Sequence, residues 1–201
     1  MPDVFLSKIF LYVIIVFSAV FHEYLHAWTA YYLGDPTAKN SGRLTLNPIK
    51  HLDPIWTVLV PLFGLFFFNS FVGMAKPVPY NPYNLRDQKY GSIKVGISGP
   101  LANFAIAAIF GLVIRFFQIQ GTPYLFLKLI VYVNIFLGLF NLIPVPPLDG
   151  SKILMFFFPR SRFLRFLEYS FLGIFLALAI AFMFLPPFAD FSYFIITGRK
   201  F

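Results

Sequence analysis

The stretch Val4–Leu33 reads VFLSKIFLYVIIVFSAVFHEYLHAWTAYYL. From Val4 to Phe21 it carries a single charge, Lys8. About 20 consecutive apolar residues, wound as a helix, match the hydrocarbon thickness of a bilayer. The segment therefore predicts a membrane-spanning helix. Its second half breaks the apolar pattern with His22, Glu23 and His26. A carboxylate and two imidazoles in hydrocarbon are costly unless they are paired or bound to something. Ionisable groups at that depth mark a functional position by default.

Working outward, the rest of the chain repeats the apolar theme. Of its 201 residues, 59% are hydrophobic and only 12% charged, with a mean hydropathy of +0.76. A water-soluble fold of this length has too little interior to hide that much apolar surface. Further apolar runs cover Pro54–Gly73 (interrupted by Pro61 and Gly64), Val95–Phe117, Tyr124–Ile143, Ile153–Phe158 and Phe171–Leu185, with a short piece at Phe188–Ile196. The expected fold is an all-α membrane protein of about four to six apolar segments, with short re-entrant or β-like loops. No linker, repeat or low-complexity tract divides it. One membrane-embedded domain over 1–201 is expected, with a core over about 4–158 and a C-terminal helix over about 166–186. Met1-Pro2-Asp3 lacks the basic start of a cleaved signal, so the first apolar run is expected to be retained.

The absence of cysteine excludes disulfides and thiolate metal sites. The net charge of +8 does not point to nucleic acid, because basic residues between apolar runs hold membrane loops at the cytoplasmic face. The lipid bilayer is the expected surrounding partner, and nucleic acid is not expected as one.

His22-Glu23-Tyr24-Leu25-His26 has the form H-E-x-x-H. On a helix, residues four apart share a face, so both imidazoles can hold one ion, with Glu23 beside it to carry a proton. Zinc suits nitrogen and oxygen donors, and a catalytic zinc needs a third protein ligand. The only other histidine, His51, lies in the polar loop. Asp149 is the better candidate, because it follows an apolar run broken by Pro144, Pro146 and Pro147. Irregular backbone at membrane depth is tolerated only where protein or a cavity surrounds it. Glu168, the only other glutamate, sits in a basic surface segment.

Together these motifs resemble the site-2 protease family of intramembrane zinc metalloproteases (peptidase M50), in its compact bacterial-type branch without a PDZ domain. That family pairs HExxH with a later N-x-x-P-x-x-x-L-D-G segment, matched here by Asn141, Pro144, Leu148, Asp149 and Gly150. Further similar segments are Asn47–Pro54, Ala75–Pro79 and Ser98–Asn103. Trp56 departs from the pattern, where a small glycine is expected. The resemblance implies His22, His26 and Asp149 as zinc ligands, Glu23 as general base, and Asn141 near the substrate or its developing oxyanion. It implies hydrolysis of peptide bonds in membrane-spanning protein substrates.

A zinc or proton-coupled transporter is the alternative from another class. It would line several helices with polar residues and show a repeat, and this chain has neither.

Ligands at one depth require the first and fourth apolar runs to point the same way, which predicts that Pro54–Gly73 does not fully cross. The loop charges Lys39, Arg43, Lys50, Lys76, Arg86, Lys89, Lys94, Arg160, Arg162 and Arg165 then share one face, which the positive-inside rule makes cytoplasmic. A multi-pass protein of a bacterial-type inner membrane, with its site nearer the cytoplasm, is expected. An extended Val72–Tyr80 segment is expected either to offer an unwound substrate a strand edge or simply to shape a loop.

Overall fold

The computed structural model describes residues 4–67 and 76–201. The apolar runs become helices because lipid leaves each backbone polar group no partner but its own helix. Helix α1 covers Val4–Tyr32. It stops at Gly34, whose φ of 106° lies in the left-handed region open to glycine. There Gly34 N–H donates to Tyr31 O and Asp35 N–H to Ala30 O, the bond pair that closes a Schellman ending.

A short α2 (Thr37–Asn40) follows, then a π-helical turn at Pro54–Leu59 that leads into α3 (Val60–Phe67). The long helices α4 (Gly91–Phe116) and α5 (Gly121–Asn141) come next. After them stand α6 (Ser151–Phe157), α7 (Arg162–Tyr169) and α8 (Phe171–Thr197). Four of these, α1, α4, α5 and α8, are long and apolar enough to cross a membrane. Among the described residues there is no strand, and the chain is an all-α polytopic membrane protein.

Helix α4 is the hub. In its most apolar 18 residues 44% are buried, against 22% in each of the other three spans. Small residues make this possible: Gly91, Gly96, Ser98, Gly99, Ala102, Ala107 and Gly111 are all buried, and without a water-driven hydrophobic effect, close backbone approach is what holds helices together in lipid. A Cβ on Gly111 would lie 2.3 Å from Ile196 of α8. Towards α5, Ala107 and Ile114 pack with Val131 and Ile135.

The pairings fix direction. Asn103 of α4 meets His22 and Ser18, whereas Val95 meets His26. As numbers rise along α1 they fall along α4, so the two are antiparallel. Helix α5 returns antiparallel to α4 and therefore runs with α1, as the sequence requires. At the shared end, Arg86 N–H donates to Leu33 O at 2.7 Å. The chain thus leaves α1 and enters α4 at the same end of the bundle. Residues 68–73 of the 54–73 run, Asn69 among them, and the first part of Val72–Tyr80 lie outside the described residues. Residues 76–80 belong to neither helix nor strand.

One expectation is corrected. The helix placed at about 166–186 is two elements: α7 ends at Tyr169, and α8 continues to Thr197. Pro186 and Pro187 lie inside α8. Proline removes N–H donors and ends helices in water, but lipid offers no better conformation for the flanking residues, and neighbouring helices support the freed backbone groups. Leu185 and Ala189, on either side, are buried.

Candidate metal centre

His22 and His26 lie one turn apart on α1 and are both buried. His22 is about 27 Å along the helix from Val4 and about 15 Å short of its end. Asp149 arrives from the break after α5. There Gly150 N–H donates to Asn141 O at 2.7 Å, which turns the chain back on the end of the helix. Gly150 has no Cβ to spare, since one would fall 2.2 Å from Leu142 O. The residue just before this tight return is thereby aimed at α1.

Three ligand atoms converge. His22 Nε2 and His26 Nε2 are 2.9 Å apart, and Asp149 Oδ2 lies 3.0 Å from the first and 3.2 Å from the second. Ligand atoms on a tetrahedral zinc, with bonds of about 2.0–2.1 Å, sit roughly 3.3 Å from one another. Among the described residues these three are the group that could hold a metal ion.

The surroundings fit zinc as well. His26 Nδ1 lies 2.7 Å from Val95 O, a carbonyl that only accepts, so Nδ1 bears the proton. His22 Nδ1 lies 2.7 Å from Asn103 Oδ1. The orientation of that amide is set by its Nδ2, which donates to Ser18 O and Asn134 Oδ1. Each ring, when neutral, therefore turns an unprotonated Nε2 inward, the arrangement that outer hydrogen bonds impose on metal-binding histidines. Two lone pairs and a carboxylate oxygen within 3.2 Å repel one another unless a cation or a proton sits among them. The space beside them is kept open by Gly99 of α4: a Cβ there would lie 2.4 Å from His26 Nε2 and 2.6 Å from His22 Nε2.

Glu23 is half-buried. Its Oε2 accepts the backbone N–H of Val78 at 2.7 Å. Asn141, at the end of α5, donates from Nδ2 to Leu137 O at 3.0 Å, which leaves its second amide N–H for another acceptor. His51 stands apart: it is buried, with Nε2 2.8 Å from Thr45 O. Glu168 pairs with Lys152 at 3.6 Å. Neither belongs to the convergent group.

The sequence reading did not assign Asn103, Val95 O, Gly99 or the Val78 amide. A Ser-Gly-Pro run followed by a lone asparagine within an apolar helix was the available signal for the first three. A Pro-Val-Pro run was the signal for the last.

With this geometry in hand, the comparisons with known proteins agree. The model of peptidase family M50 matches residues 119–186, the part that contains Asp149. The candidate zinc metalloprotease YwhC of Bacillus subtilis is 35% identical over 183 residues, covering 85% of this chain and 80% of its own. The zinc metalloprotease MJ0392 of Methanocaldococcus jannaschii is 30% identical over 72% of this chain and 33% of its own. The candidate zinc metalloprotease Rip2 of Mycolicibacterium smegmatis is 29% identical over 66% and 51%. No solved structure matches. The chain belongs to peptidase family M50. It is a zinc metallopeptidase with membrane-spanning helices, and its cofactor is zinc.

Proposed function

We propose that the chain cleaves membrane-spanning protein substrates within or beside the bilayer, with His22, His26 and Asp149 holding the zinc and Glu23 moving the proton. The observation that carries this reading is the meeting of the three ligand atoms within 3.2 Å, well inside a helix long and apolar enough to span. A peptidase acting only on soluble peptides has no need to place its ligands at that depth.

Zinc, when bound, supplies a Lewis acid that polarises a carbonyl and acidifies water. The protein's own groups do the rest. Val95 O and Asn103 hold the two rings by their Nδ1 protons, so neither ring can turn its bare nitrogen away. Glu23 Oε1, which has no hydrogen-bond partner among the described residues, takes the proton of the attacking water and returns it to the leaving amine. The remaining N–H of Asn141 is a donor for the substrate carbonyl as negative charge develops there. A helical substrate hides its amides in its own hydrogen bonds, so it must unwind locally before attack.

The candidate site lies nearer the end of the bundle that carries the loops 33–90 and 142–170. Ten of the sixteen Lys and Arg residues lie in those loops, and Lys94 stands in the first turn of α4 beside them; the positive-inside rule makes that end cytoplasmic in a bacterial-type inner membrane.

The test is metal analysis paired with cleavage of a fluorogenic single-span peptide. Glu23→Gln is expected to retain zinc and lose at least about 100-fold in kcat, whereas Asp149→Ala loses zinc and activity together. Wild-type cleavage by Glu23→Gln, or full zinc in Asp149→Ala, would overturn the assignment.

A further inference from the structure

The Lys76–Tyr80 segment contains Pro77 and Pro79 on either side of Val78. Proline has no backbone N–H, so Val78 supplies the only amide donor in the middle of this run, and that donor goes to Glu23 Oε2 at 2.7 Å. We infer that the Val78 backbone N–H is a positioning group for Glu23, fixing one carboxylate oxygen so that the other is held ready for proton transfer. This rests on the reading of Glu23 as proton carrier and adds to it a part of the chain about fifty residues away.

The mount is rigid on both sides of the bond. The two prolines lock their own φ and drive their preceding residues to extended backbone. Lys76 N–H donates to His51 O at 3.1 Å, and Lys76 O accepts from Arg43 Nη2. The Val78 side chain is buried with Ala27 and Ala38. Ala27 lies one helical turn beyond Glu23, so Val78 lies against the face of α1 that carries Glu23. A free glutamate samples many rotamers; one oxygen bound to a fixed donor restricts that sampling.

Within 76–80, the pattern of prolines bears on the two uses considered for the longer segment. In extended backbone, alternate residues turn their amides to opposite sides. Lys76 and Val78 use the inner side, towards His51 and Glu23. The outer side presents Pro77 and Pro79, which offer carbonyls and no donors. An added strand could give hydrogen bonds to that edge but receive none from it, so the firm task of the segment is to brace Glu23.

The experiment separates the amide from the side chain. Val78→Pro and a backbone ester at Val78 (the α-hydroxy acid of valine, introduced by nonsense suppression) both remove the N–H. Val78→Ala keeps it. With the single-span peptide, the two N–H-deleted proteins are expected to lose about 10- to 100-fold in kcat, with KM and zinc content near wild type. Val78→Ala stays within a few-fold of wild type. The ester retains the valine side chain and decides the matter should the proline variant fail to fold. Wild-type kcat in the ester protein, or an equal loss in Val78→Ala, would overturn the inference. Glu23→Gln run in parallel reports separately on the base: if it too cleaves normally, the proton-carrier reading fails rather than the brace.

Discussion

Gly99 marks the closest approach of α4 to the two histidine rings. The nearest imidazole nitrogens lie 2.4 and 2.6 Å from where its Cβ would be, distances that real Cβ contacts do not reach. Alanine at this position must push the rings or the helix aside. Gly99→Ala is expected to lower zinc affinity at least about 10-fold while leaving helix content unchanged, measured by competitive chelator titration alongside circular dichroism. Unchanged affinity would mean that the rings have more room than the structure gives them. At this scale the candidate site was legible wherever chemistry is written in a side chain. His22, Glu23, His26 and Asp149 each declare themselves by charge or ligand type in an apolar setting. The partners that aim them do not: Val95 contributes a carbonyl and Val78 an amide, groups every residue possesses, and Gly99 contributes an absence.

Among the connecting elements, the turn after α1 depends on Asp35, which is fully buried. Its Oδ1 accepts from Thr37 N–H, Thr37 Oγ1–H and Asn84 Nδ2, and its Oδ2 from Asn81 N–H. One carboxylate thereby ties the end of α1 to the segment that enters α4. Burial alone would push its pKa up, but the bonds from Thr37, Asn84 and Asn81 outweigh it and hold the carboxyl below its ordinary 3.8. The folded protein therefore gives up this proton more readily than the unfolded chain does. The resulting stability is fully present above 3.8 and lost as pH falls through the lower folded value. Asp35→Ala is expected to cost about 2–4 kcal/mol near neutral pH and to remove that part of the acid sensitivity, read from thermal unfolding in detergent across an acid series. An unchanged acid slope would show that the carboxylate is not the group responsible.

The elements differ in how far composition betrayed them. The cores of α1, α4 and α5 follow directly from uninterrupted apolar runs. The end of α8 did not, because Pro186 and Pro187 look like a stop to rules learned in water. The start of α7 is set by Ser161, whose side chain accepts from Leu164 N–H. Its short length and its pattern of Arg162 and Arg165 among phenylalanines mix charge with apolar surface, and hydropathy alone cannot divide such a stretch from the span that follows.

For the molecule as a whole, the antiparallel order of α1, α4, α5 and α8 places Ser41 at the site end and Gln120 at the other. Both are exposed, and the chain has no native cysteine to interfere. Ser41→Cys is expected to react with a membrane-impermeant maleimide only in inverted vesicles, and Gln120→Cys only in intact cells. Labelling of both from one side would reject the arrangement.

The two ring-orienting groups, Val95 O and Asn103, belong to α4, while the rings belong to α1. Retention of the ion therefore gauges how tightly two neighbouring helices are pressed together. A thin bilayer or a small micelle that lets them splay would bleed metal into solution while every helix stayed wound, and the enzyme would fall silent before it came apart.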